Sequence, residues 1–168
     1  VYCFDAADGT LLWTGDVPQN PDANDMDIME DTGLAASTMA TDGYHVYAIF
    51  GSGDLACFDF IGKKLWHKAL GVPDSSYGYA SSLDVYHNRV IVQLDQGGDD
   101  DELSRLLAID GATGKVIHDK VRPVANVWTS PIVTRIGDRD QVIVVSDPWT
   151  MAYDANSFEE LWRAECVG

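Results

Sequence analysis

Four copies of one short pattern limit what this chain can fold into more than any other feature. The clearest is Cys57–Trp66, C-F-D-F-I-G-K-K-L-W, which reads as a strand, a turn and a second strand. Variants stand at 3–13 (C-F-D-A-A-D-G-T-L-L-W), 108–118 (A-I-D-G-A-T-G-K-V-I-H) and 152–162 (A-Y-D-A-N-S-F-E-E-L-W). Their aspartates, Asp5, Asp59, Asp110 and Asp154, are 54, 51 and 44 residues apart. Spacings of about 40–50 residues are the period of four-stranded propeller blades.

Each position of the unit has a physical role. An Asp closing a strand accepts hydrogen bonds from backbone N–H groups two or three residues on, which nucleates a tight turn. Gly9, Gly62 and Gly114 supply the positive φ such a turn requires, a conformation that costs a residue with a Cβ about 1 kcal/mol or more. Beyond the turn, Trp13, Trp66 and Trp162 place a ring on one face of the outer strand, with His118 at the equivalent point of the third copy. With strands this short, that ring is expected to pack on a neighbouring sheet.

Taken in order, the chain divides into a half blade over about 1–15 and whole blades over about 34–71, 77–122 and 127–166. Inner strands are predicted at Ala36–Thr41, Tyr79–Val85 and Trp128–Arg135, each followed by a turn and a second strand. No stretch of ten or more residues shows helical periodicity. The predicted class is all-β, a β-propeller of four-stranded antiparallel blades. Rings of this kind typically close with about 4–8 blades. Three and a half cannot close one, so the chain is expected to be a segment of a larger ring or to complete its ring with another chain. A stable compact monomer in light scattering would rule out both. The first residues already sit inside a repeat with no basic leader ahead of them, so the reading is of a chain that starts in mid-fold.

Composition excludes several classes. At 168 residues with 46% apolar side chains the chain can bury a sizeable core. Apolar runs such as Val142–Val145 are strand-sized, so no membrane span is expected. The net charge of −16 lacks the Lys and Arg excess that counterion release needs, which argues against a nucleic-acid partner. Three cysteines with no C-x-x-C offer neither a zinc signature nor a closed disulfide framework. Cys3 and Cys57 hold the place that Ala108 and Ala152 hold in the other copies, and so read as small core residues. Cys166 is either free or paired outside the chain.

Ten of the 27 acidic residues lie in Asp22–Asp31 and Asp95–Glu102. Asp22, Asp25, Asp27, Glu30 and Asp31 are hard oxygen donors of the kind Ca²⁺ takes, although Met26 and Met29 fall where the EF-hand spacing needs ligands. The stretch reads either as a divalent-cation site or as a solvated connector of functional-loop length. The second acidic stretch, with Gly97-Gly98 ahead of three aspartates, reads as a loose insertion held open by repulsion. Ser81, Ser82 and Ser130 recur at inner-strand positions, which assigns them to structure or to a channel wall. No nucleophile, base and orienting group fall together, so no catalytic residue is assigned. Trp149, beside Pro148, aligns with Asp54 and Arg105, where the repeat requires no aromatic. It is a candidate binding surface, with partial burial against a neighbouring loop as the alternative.

The pattern A-x-D-x-x-T-G-K-x-x-W resembles the tryptophan-docking repeat of the pyrroloquinoline-quinone (PQQ)-type β-propellers, and the likeness covers essentially the whole chain. The copy at 108–118 keeps Ala108, Asp110, Thr113, Gly114 and Lys115 but has His118 for Trp, and the last copy has Ser157-Phe158 for Thr-Gly. G-Y-A-S-S at 78–82 and W-T-S-P-I-V at 128–133 are similar to the inner-strand starts of this superfamily in secreted bacterial proteins. The resemblance implies an exported protein of the periplasm or outer membrane, or a secreted one. It implies a non-catalytic scaffold whose partners are proteins or further blades, with no cofactor expected. It also implies two alternatives: a PQQ- and Ca²⁺-dependent quinoprotein dehydrogenase, and a ligand- or glycan-sensing domain of a larger protein. The dehydrogenases of this superfamily sandwich the quinone between a Trp and a disulfide of adjacent cysteines, and no adjacent pair occurs here.

Overall fold

Strand pairing follows the repeat. The computed structural model of the chain describes residues 1–26, 28–29 and 32–165. The strands β1 (Tyr2–Phe4) and β2 (Leu11–Thr14) form a two-stranded sheet. A four-stranded sheet follows from β3 (Ala40–Thr41), β4 (His45–Ile49), β5 (Asp54–Asp59) and β6 (Lys64–Ala69). The next contains β7 (Asp84–Tyr86), β8 (Arg89–Leu94), β9 (Arg105–Asp110) and β10 (Val116–Val121). The last contains β11 (Ile132–Ile136), β12 (Arg139–Val145), β13 (Trp149–Asp154) and β14 (Glu160–Glu165). Every described pairing joins sequence neighbours in antiparallel register, so each sheet is a simple meander.

The molecule is thus an all-β propeller array, and the only helical turns among the described residues are 3-10 turns at Pro21–Asp25 and Asp99–Asp101. Two long apolar clusters lie between successive sheets. One joins Tyr47, Leu55 and Cys57 to Val90, Val92 and Ile109; the other joins Ile91, Leu106 and Ala108 to Val142, Met151 and Tyr153. The middle strands β5, β8 and β9 are buried along nearly their whole length, because a sheet lies against each of their faces.

Outer-strand rings sit opposite the small residues of the third strand. Trp13 pairs with Cys3, Trp66 with Cys57, His118 with Ala108 and Trp162 with Ala152. Each of these pairs of strands also carries a register shift next to that point, a bulge that sharpens the local twist. The Trp13 ring then reaches the next sheet, where it stacks on Phe58 at 6.0 Å and its Nε1–H donates to the Phe60 carbonyl at 3.0 Å. Trp66 donates likewise to the Gly111 carbonyl at 2.8 Å.

The inner strands are shorter than the sequence predicts. β3 begins at Ala40, β7 at Asp84 and β11 at Ile132 rather than at Ala36, Tyr79 and Trp128. The preceding residues bond across sheets instead of along a ladder: Thr38 N–H donates to Ser82 Oγ at 3.1 Å and Ser82 N–H to Ser130 Oγ at 2.8 Å. Pro131 has no N–H to offer a ladder at all.

Candidate binding surface

Connections in an antiparallel meander alternate between its two ends. The turns from first to second and from third to fourth strand therefore share one end. The loops from second to third strand, and the linkers between sheets, share the other. The first end is occupied by tight turns. Asp5, Asp59, Asp110 and Asp154 each accept a backbone N–H through Oδ1, from Ala7, Lys63, Thr113 and Asn156 respectively, at 2.8–2.9 Å. These bonds hold the Asp154 carboxyl below its ordinary value, with the Ser157 and Asn156 N–H groups as the leading causes. Gly9, Gly62 and Gly114 lie in the left-handed region, and a Cβ on Gly62 or Gly114 would run into Trp13 or Trp66 of the preceding sheet. Phe158 takes the fourth such position with φ 60°, and its ring stacks on His118 at 4.9 Å and 8°.

The opposite end is where long loops gather, and they are tied to one another. Met29 N–H donates to the Ser76 carbonyl, Gly97 N–H to that of Asp74, Asn126 N–H to that of Gly97 and Tyr79 N–H to that of Gly51. Five connections thus converge on one face. Beneath it, Arg122 is fully buried and forms an ion pair with Asp95, itself held by Gln93 at 2.7 Å; Arg122 also reaches Ser146 of the next sheet at 2.6 Å.

On the surface of that face lies an open aromatic cleft of about 290 Å³, lined by Thr32, Tyr77, Ala80 and Trp128. Trp128 is 48% exposed and meets Tyr77 edge-on, ring centroids 4.7 Å apart. Ser75 Oγ accepts both Trp128 Nε1–H at 3.2 Å and the backbone N–H of Tyr77 at 3.3 Å, so one hydroxyl ties the indole to the main chain that carries Tyr77. Residue comparison across the repeats could have found this site. Trp128 occupies the position that Ala36 and Ala80 hold in the preceding units, but its place in a predicted strand concealed it.

The other candidates are placed as follows. Trp149 opens β13, half-buried against the second apolar cluster, with the Arg163 guanidinium 5.6 Å above its ring. Asp22 and Asp25 are exposed on the 3-10 turn that Asn20 caps. Asp27, Glu30 and Asp31 lie outside the described residues, as does Cys166. Among the described residues no three His, Cys, Asp or Glu side chains converge as a metal cage requires. Cys57 is fully buried, which with the nearby Asp42 and Asp59 carboxylates pushes its thiol up to about 12. Ser52, Asp54 and His67 do meet, but both the hydroxyl (2.6 Å) and the imidazole (2.9 Å) are bonded to the carboxylate, which also accepts Asn20 N–H. A serine bonded to Asp rather than to His lacks a base, so this cluster is a structural knot.

Three comparisons place this geometry among known proteins. A family model described as PQQ_2, outer membrane protein assembly factor BamB, matches residues 1–166. Among solved structures, BamB from Moraxella catarrhalis superposes with a TM-score of 0.60 at 19% identity, over 99% of this chain and 43% of that one. A europium-containing methanol dehydrogenase gives 0.50 at 13% identity, over 84% of this chain and 28% of that one. The chain therefore spans less than half the length of either protein, and likeness at these identities concerns the fold alone. No curated protein sequence matches. No helix among the described residues is long and apolar enough to cross a membrane.

Proposed function

Because the chain belongs to the PQQ-like repeat family described by the outer membrane protein assembly factor BamB, we propose that it is a non-catalytic scaffold of the bacterial envelope, holding protein partners through its loop face. The observation that carries this reading is where the polar chemistry is spent. Turn aspartates hold backbone N–H groups, Ser82 and Ser130 bridge sheets, His45 and His67 are bonded to Asp42 and Asp54, and His118 stacks on Phe158. Turned outward at the other end is a loop face whose connections are tied by backbone hydrogen bonds, with an aromatic pair at its surface. Affinity capture from envelope extract, with cross-linking and a carbohydrate array run in parallel, tests the proposal. A protein partner cross-linked to residues of the loop face supports it; binding to glycans alone would replace it with the sensing-domain reading.

The second reading is the quinoprotein dehydrogenase, favoured by the structural likeness to a methanol dehydrogenase. The cysteines do not fit it. Cys3 and Cys57 are free and lie in different sheets, so they offer no adjacent pair to stack on a quinone. Titration with PQQ and Ca²⁺ decides: new absorbance or a raised melting temperature restores the dehydrogenase, and heat from Ca²⁺ alone in calorimetry establishes the cation site around Asp22 and Asp25.

A further inference from the structure

We propose that the cleft between Tyr77 and Trp128 is the docking point for a Lys- or Arg-bearing polypeptide segment, a site that deepens the scaffold reading and rests on it. The argument starts with what the cleft leaves available. The indole N–H of Trp128 is already spent on Ser75, so a partner meets only its π surface. The same hydroxyl holds the backbone N–H of Tyr77, whose ring meets the indole edge-on, so the pair is in place before anything binds. A pre-formed aromatic site recovers affinity that ordering a flexible one would cost.

Charge then selects the occupant. The described residues of the connections that make up this face are 16–26, 28–29, 32–39, 50–53, 71–83, 95–104, 122–131 and 146–148, and Arg122 is the one Lys or Arg among them. It is buried and paired with Asp95, so it does not offset the surface. Against it stand Asp74 and the insertion Asp99–Glu102, all exposed. Asp74 precedes Ser75, and its main chain is pinned by Gln96 at 3.1 Å and by Gly97 at 3.0 Å. Its carboxylate makes no hydrogen bond with the described residues. The backbone bond between Gly97 and Asn126 holds the acidic insertion beside the linker that carries Trp128. The Lys and Arg side chains stand elsewhere, on the strands or in the turns of the opposite end, as Lys63, Arg89 and Lys115 do. An aromatic face on this acidic end of the molecule, with Asp74 next to the serine that holds Trp128, suits a guanidinium or ammonium group, which gains from the ring quadrupole and from the acidic surroundings together.

The test uses the full chain and three synthetic probes: an Arg/Gly-alternating octapeptide, its Glu/Gly counterpart and a neutral Leu/Gly octapeptide, followed by tryptophan fluorescence and calorimetry. The basic peptide is expected to bind, with Trp128→Ala weakening it about tenfold and Asp74→Lys weakening it comparably. Trp149→Ala is expected to leave binding unchanged. Circular dichroism and melting confirm that each variant is folded, and Asp74→Lys, a surface change, serves if Trp128→Ala does not fold. Binding of the basic peptide that Trp128→Ala and Asp74→Lys leave untouched would be diffuse attraction to an acidic protein and would overturn the proposal, as would preferential binding of the neutral or acidic peptide. If no peptide binds but an envelope protein is captured equally by the parent chain and Trp128→Ala, the cleft proposal fails while the scaffold reading stands.

Discussion

At the scale of single residues, the most informative position is one where the repeat is broken twice. Trp13 and Trp66 lie over a glycine of the next sheet, whereas His118 lies over Phe158. A smaller ring on one side has been matched by a larger one on the other, at the cost of placing a phenylalanine at φ 60°. His118→Trp alone is therefore expected to overpack and destabilise by about 1–3 kcal/mol. Phe158→Gly alone relieves the backbone but empties the contact, for a net loss of about 2–4 kcal/mol. The double variant rebuilds an indole on glycine, and urea denaturation should show a favourable coupling of at least about 1 kcal/mol. Asp42 supports a second prediction. Burial opposes its ionisation, but His45, the N–H groups of Tyr44 and His45, and the Tyr47 hydroxyl together hold its carboxyl at about 2. A folded-state value below the ordinary 3.8 means stability that is present above about pH 4 and lost as pH falls through about 2. Asp42→Asn should thus cost about 2 kcal/mol near neutrality and progressively less towards pH 2, as read from denaturation curves across pH.

At the scale of elements, the sheets are held together by apolar faces in the middle and by polar bolts near the loop end. The buried Arg122–Asp95 pair, with Ser146 of the neighbouring sheet, is the largest of these bolts. Removing one partner strands a buried charge, so Arg122→Met or Asp95→Leu alone is expected to cost about 3–5 kcal/mol in urea denaturation, and the double replacement much less. Strand order and turn positions were legible because the Asp, Gly and Trp of each unit act within a few residues of one another. The length of the inner strands was not, because Ser82 and Ser130 divert backbone N–H groups to a neighbouring sheet, a contact that local pattern does not encode.

Across the whole molecule, a net charge of −16 on 168 residues makes self-repulsion a global term opposing the folded state. Raising NaCl from about 0.02 to 0.5 M shortens the Debye length from about 20 Å to 4 Å and should raise the melting temperature by several degrees, as differential scanning calorimetry would show. A melting temperature indifferent to salt would mean that local ion pairs already balance the field. The same field makes the loop face selective for cations, since the cationic side chains stand on strands and on the opposite end.

The amino-acid sequence by itself determined the period, the all-β class and the resemblance to the PQQ-type repeat, since each depends on residues close together in the chain. Tertiary structure alone decided which of Trp128 and Trp149 is left outside. Trp149 stands where no repeat position demands a ring, yet it is covered by Arg163 and an apolar cluster. Trp128 sits in what reads as strand, yet it is turned to solvent and fixed to Tyr77 and Ser75 of the preceding linker. The exposure of Trp128 is set by neighbours some fifty residues away, and those meet only when the sheets are laid side by side.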